Sequence, residues 1–231
     1  MIADMSIWTR IADALSALAS GEGLSALFDR LRPPPEKSVA FTIAVIALGA
    51  KMAKADGEVT RNEVAAFRQV FAIPPGEEAN AARVFNLARQ DVAGFDAYAR
   101  KIRAMFHDDS RVLVDLMEGL FHISVADGRW HPQEEAFLRD VANIFGVGDR
   151  CFRSLRARFV PDAQPDPYDV LGVDPDATIT EARAAWKQAV RDSHPDRMLA
   201  RGVPAEAVKL AEQRLIAINA AWEEISSKQA A

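Results

Sequence analysis

The chain has 231 residues, of which 49% are apolar and 26% charged, and its net charge is −5 with a pI near 5.5. That length allows one large or two modest domains with packed cores. The acidic balance, with no block of basic residues, argues against a nucleic-acid partner. Cys151 is alone, which rules out an intrachain disulfide and leaves no Cys/His cluster to hold zinc.

Met5 to Ala19 carries Ile7, Trp8, Ile11, Leu15 and Leu18 at helical spacing. After Gly21 and Gly23 the pattern resumes through Leu31 and ends at Pro33-Pro34-Pro35, a stiff extended connection. Residues 1–35 therefore read as an amphipathic helical segment. The charges of 5–31 are few and mixed, which favours packing against the rest of the protein; peripheral contact with a membrane surface is the alternative. The first residues carry no signal-peptide pattern. The most apolar run, Val39 to Ala50, is too short for a bilayer, which needs about twenty residues. It predicts a buried helix, and a cytoplasmic setting is expected.

Helical patterns follow over Glu36–Ala55, Thr60–Phe71, Glu77–Arg89, Phe95–Phe106, Ser110–Ala126, Pro132–Phe145 and Asp149–Arg158. No alternating β-branched run competes, so the expected fold class is all-α. An internal repeat is visible. Ala55-Asp56-Gly57 matches Ala126-Asp127-Gly128, and Glu63, Phe67 and Val70 align with Glu134, Leu138 and Val141. Each copy reads helix, turn, helix, and two such pairs would bury each other's apolar faces. The Pro- and Asp-rich stretch after Val160 has linker composition. The expected organisation is a helical bundle over 36–160, a linker over 161–166 and a second domain over 167–231.

That second domain opens with Pro167-Tyr168-Asp169-Val170-Leu171, a short helix, and a turn follows. Thr178 or Thr180 starts the next helix, Ile179 to Arg191. Arg183, Lys187 and Arg191 recur along it at i, i+4 and i+8 and so share one face. Then comes His194-Pro195-Asp196. Pro195 ends the helix, and a tight loop should present His194 and Asp196 between two helices. A further helix is expected from Ala205 to about Ile225, with Arg197 to Pro204 as a long connection.

Four elements in order, the Pro-Tyr-Asp-Val-Leu-Gly opening, the cationic helix, the His-Pro-Asp tripeptide and the Ala217-Ile218-Asn219-Ala220-Ala221-Trp222 segment, resemble the J-domain of the DnaJ family. The resemblance implies a helical hairpin that docks on an ATP-bound DnaK-type chaperone and triggers its ATPase. It assigns the trigger to His194, Pro195 and Asp196, and docking to Arg183, Lys187 and Arg191. Trp186 takes the place of the family's usual tyrosine and should be core. Gln188 and Asp192 depart from the family by standing where basic residues are common. No enzymatic chemistry of its own and no cofactor is expected, because the ATPase chemistry belongs to the partner.

The two Ala-Asp-Gly turns and the glutamates after them resemble the TerB-like, tellurite-resistance family, over about Val39 to Phe159. A TerB-like bundle followed by a C-terminal J-domain is similar to the DjlA-like type of DnaJ-family protein. In that reading the bundle is an adaptor for as yet unidentified clients or partners. A reading from another class is a metal- or stress-responsive TerB-like module, with Asp56, Glu63, Asp127 and Glu134 converging on a cation. The calcium-loop template fails, since Met52 and Lys54 would occupy its first ligand positions. Capping of helix N-termini by the acids and a turn at each Gly account for the same residues. His107, His122 and His131 lack helical partners and read as surface or packing residues.

Overall fold

The computed structural model describes residues 7–16, 37–55, 70–71, 73, 75–90, 94–107, 109–126, 128–160, 165–207 and 209–228. The described residues form α-helices and one 3-10 turn, with no strand among them. In chain order the helices are α1 (Ile7–Ser16), α2 (Lys37–Ala55), α3 (Glu78–Gln90), α4 (Phe95–Met105), α5 (Ser110–Ser124), α6 (Pro132–Phe145) and α7 (Asp149–Phe159). They continue as α8 (Pro167–Leu171), α9 (Ile179–Asp192), α10 (Pro195–Arg201), the 3-10 turn Ala205–Ala207 and α11 (Lys209–Lys228).

The apolar run at Val39 dictates the centre of the first bundle. A helix that is apolar all round has to be enclosed, and Val39 to Leu48 is buried on every face. Accordingly α2 packs against α1, α3, α4, α5 and α6. Ile7, Trp8 and Ile11 of α1 are buried in the same core, so the apolar face of this helix is turned to the bundle. Trp8 and Phe41 both meet Phe71 edge-on, at ring separations of 6.3 and 6.5 Å. No helix among the described residues is long and apolar enough to cross a membrane.

In the second copy of the repeat, Gly128 adopts φ +78°, a conformation that a side chain resists. Leu138 and Val141 are fully buried behind it. Of the first copy, residues 56–69 lie outside the described residues, and Val70 is buried.

A second core joins Val170 and Leu171 of α8, Ala182 of α9, and Ile218, Ala221 and Ile225 of α11. Trp186 is half-buried rather than core. Its ring stacks on Trp222 at 5.4 Å, and its Nε1–H donates to Asn219 Oδ1 at 2.8 Å. An indole N–H needs a polar partner, which holds the ring at the rim.

The connection after His194 also differs from expectation. Residues 195–201 form a helix, because Pro195 occupies the first helical position, where its missing N–H costs nothing. A 3-10 turn follows, and α11 begins at Lys209 rather than Ala205. This insert is anchored in the first bundle: Met198, Val203, Ala207, Leu210 and Ala211 belong to the core built around α2.

Candidate functional site

Helix α9 starts at a reciprocal cap. Thr178 Oγ1 accepts from Glu181 N at 3.2 Å, and Glu181 Oε2 accepts from Thr178 N at 2.8 Å. The bond from Thr178 N, and a second from the Thr178 hydroxyl to Glu181 Oε2 at 2.8 Å, hold the Glu181 carboxyl below its usual range. The cap settles Thr178 over Thr180 as the start and fixes the register of Arg183, Lys187 and Arg191. All three are exposed, on successive turns of one face. Arg191 donates to Gln188 Oε1 at 3.0 Å.

At the other end of α9, His194 is the N-cap of α10. Its Nδ1 accepts from Asp196 N at 3.2 Å, which leaves the proton of the neutral ring on Nε2. The Asp196 carboxylate stands 3.6 Å from the same Nδ1, and the side chains of His194 and Asp196 are 60% and 87% exposed. The tripeptide is thus a helix start, not a free loop, and it presents an imidazole and a carboxylate to solvent. Below it, Ser193 is fully buried and its hydroxyl donates to Ala189 O at 2.7 Å.

Gln188 and Asp192, the two departures from the basic pattern, have structural partners. Gln188 donates to Asp192 Oδ2 at 2.8 Å. Asp192 Oδ1 accepts from Arg197 at 3.3 Å and from Arg111 at the start of α5. A basic residue at 192 would face two guanidinium groups.

Beneath this surface lies a buried ionic cluster. Asp115 and Glu118, on adjacent turns of α5, are 2% and 0% exposed. Arg201 reaches Asp115 Oδ2 through Nε and Nη2, at 3.1 and 2.9 Å, and also donates to the Asp192 carbonyl at 3.1 Å. Arg214 of α11 donates to Asp115 Oδ1 at 2.6 Å and to Glu118. Arg158 of α7 donates to Glu118 Oε1 at 2.7 Å. Burial lowers the Arg158 pKa to about 10, so it remains charged at neutral pH. Two carboxylates therefore carry three guanidinium groups, two of them from the segment that contains the tripeptide. Glu118, Arg158 and Arg214 also line a cavity of about 210 Å³ with His122, Phe159, Gln213 and Ala217.

Further contacts join the same halves. Ser154 of α7 donates to Val170 O at 2.9 Å, and Arg150 donates to both oxygens of Asp174 at 2.6 and 2.7 Å.

Of the candidate cation ligands, Asp56, Glu63 and Asp127 lie outside the described residues. Glu134 accepts from His131 N at 3.1 Å in the cap of α6. No group of three or more metal-ligating side chains occurs among the described residues.

Residues 42–157 match the family model described as tellurite resistance protein TerB, and residues 166–230 match that of the DnaJ domain. Three curated relatives are each named co-chaperone protein DjlA. The one from Photobacterium profundum is 25% identical, with 84% of this chain and 79% of the relative covered. That from Coxiella burnetii is 27% identical over 85% and 80%. That from Escherichia coli K12 is 22% identical over 97% and 99%. The chain belongs to the DjlA-like family of J-domain proteins. No solved structure matches it.

Within this DjlA-like chain, the residues that join the TerB-like bundle to the J-domain are not part of the motif. Asp115, Glu118, Arg158 and Arg214 belong to none of the motifs that the sequence displays, and Arg201 lies in the long connection after the tripeptide. One signal was available. Asp115 and Glu118 interrupt the run of Val112, Leu113, Leu116, Met117, Leu120 and Phe121 on the face that α5 buries. Buried carboxylates require cationic partners, which only the fold could supply.

Proposed function

We propose that this chain recruits a DnaK-type chaperone and stimulates its ATP hydrolysis. In this reading His194, Pro195 and Asp196 form the trigger, and Arg183, Lys187 and Arg191 dock on an acidic surface of the partner. The observation that carries it is the exposure of the tripeptide beside an exposed three-cation face, on a segment that matches the DnaJ domain. Groups that serve only stability would be buried or paired with the rest of the fold. Charge complementarity of this kind steers the encounter and sets its register more than it adds affinity.

The bond-breaking chemistry belongs to the partner. The chain supplies a docked conformation, not a nucleophile or a metal. The TerB-like bundle serves as an adaptor for clients or other partners, and the lone half-buried Cys151 suits a reducing, cytoplasmic setting.

Single-turnover ATP hydrolysis by the cognate DnaK-type chaperone tests the reading. His194→Gln should abolish the stimulation while leaving the helical circular dichroism unchanged. Arg183→Ala with Lys187→Ala should raise the concentration needed for half-maximal stimulation, the more so at higher salt. Full stimulation by the His194→Gln chain would refute the assignment.

A further inference from the structure

The TerB-like bundle is in contact with the trigger segment itself, not only with the domain that carries it. The tripeptide is the first turn of α10. The His194 carbonyl accepts from Arg197 N and Met198 N at 3.0 and 3.1 Å, so the backbone at His194 follows α10. The orientation of α10 is in turn set by the bundle. Met198 and Val203 are 0% and 1% exposed in the core around α2. Arg201 spans from Asp115 on α5 to the last carbonyl of α9.

Gly202 closes α10 at φ +99°, against the first residue of α2. A methyl group there would overlap Lys37 Cβ and come within 3.3 Å of the Lys37 backbone. On the outer side, Arg111 holds Asp192 just before the tripeptide. The segment is therefore held at both ends by residues of the bundle, while His194 and Asp196 stay exposed.

We propose that the TerB-like bundle positions the trigger: Met198, Arg201 and Gly202 are positioning residues that hold the His-Pro-Asp turn ready for the partner. This inference rests on the co-chaperone reading above and adds to it a role for the bundle that acts within the chain. Loss of the anchor lowers the fraction of molecules whose turn is ready, and apparent affinity falls by that fraction. The bound geometry, and hence the maximal rate, is unchanged.

The test uses the full chain. In Gly202→Val, hydrogen exchange of the amides from Asp196 to Arg201 should accelerate. The concentration giving half-maximal ATPase stimulation should rise about tenfold, as expected if about one molecule in ten keeps the turn ready. The plateau rate should stay at the wild-type value. Met198→Ala, which only removes contacts from the same anchor, should shift half-saturation in the same direction by less. It replaces the valine variant if that one does not fold. Faster exchange with unchanged half-saturation, or a fall in the plateau alone, would overturn the positioning role. His194→Gln in the same assay separates the two ideas. If it stimulates fully, the trigger assignment fails. If it is silent while the anchor variants match wild type, only the positioning role fails.

Discussion

Arg201 meets Asp115 through two nitrogens, at 3.1 and 2.9 Å, and so joins the segment after the His-Pro-Asp tripeptide to the middle of α5. Both side chains are almost wholly withdrawn from water, at 11% and 3% exposure. Removing one member of such a pair leaves a buried charge short of a partner.

Arg201→Met keeps much of the stem and removes the charge. Asp115 retains Arg214, so the loss should sit at the lower end of the range for broken buried pairs, about 3 kcal/mol. Urea unfolding followed by circular dichroism measures it. A change within about 0.5 kcal/mol, the usual range for surface substitutions, would show that the cluster contributes little.

At the start of α9, Thr178→Ala removes the hydroxyl that accepts from Glu181 N and should cost about 1 kcal/mol. The Glu181 carboxyl is held below its ordinary value of 4.5 by its bonds to Thr178. Its contribution is present above that pH and is lost as pH falls through the lowered folded value. The backbone bond from residue 178 survives in the variant, but the hydroxyl's bond to Glu181 Oε2 at 2.8 Å does not, so the gap between wild type and variant should narrow on acidification below pH 4.5. A gap that stays constant with pH would show that the hydroxyl's bond to the carboxylate contributes nothing.

His122 shifts stability with pH in the same sense, through burial rather than through hydrogen bonds. Burial lowers its pKa from 6.5, its ring meets Phe159 edge-on at 6.1 Å, and Arg158 and Arg214 line the same cavity. The folded chain therefore favours the neutral ring. Stability should fall as pH drops below 6.5 towards the folded pKa, because the unfolded chain binds the proton more readily. His122→Phe should flatten that slope. An unaltered slope between pH 5 and 6.5 would assign it to other groups.

Gly128 sits at φ +78° with no heavy atom within 4 Å of where a Cβ would stand. Gly128→Ala should then cost about 1 kcal/mol through backbone strain alone. A thermal melt that matches wild type would show that the turn relaxes.

Much of this architecture could be read from residue patterns. The apolar run at Val39, broken only by Thr42, identifies the enclosed helix, and the spacing of Arg183, Lys187 and Arg191 identifies the cationic face. Local rules suffice there, because a helix repeats every few residues. The insert after His194 reads in sequence as a plain connection, but it folds as a helix. Pro195 does keep α9 from continuing, and with His194 as an extended cap it also starts α10. The joint between the two cores was not legible at all. Asp115 pairs with residues 86 and 99 positions away, and no local pattern reports a pairing at that range.

The charge cluster bears on how such a protein can be rebuilt. Exchanging the J-domain alone would break this joint. Here, a foreign one lacking counterparts of Arg201 and Arg214 would leave Asp115 and Glu118 inside the bundle with Arg158 as their one remaining ion-pair partner among the described residues. The graft would damage its host before it met any chaperone. A working chimera has to carry those two arginines along, or replace both carboxylates by apolar residues in the same step.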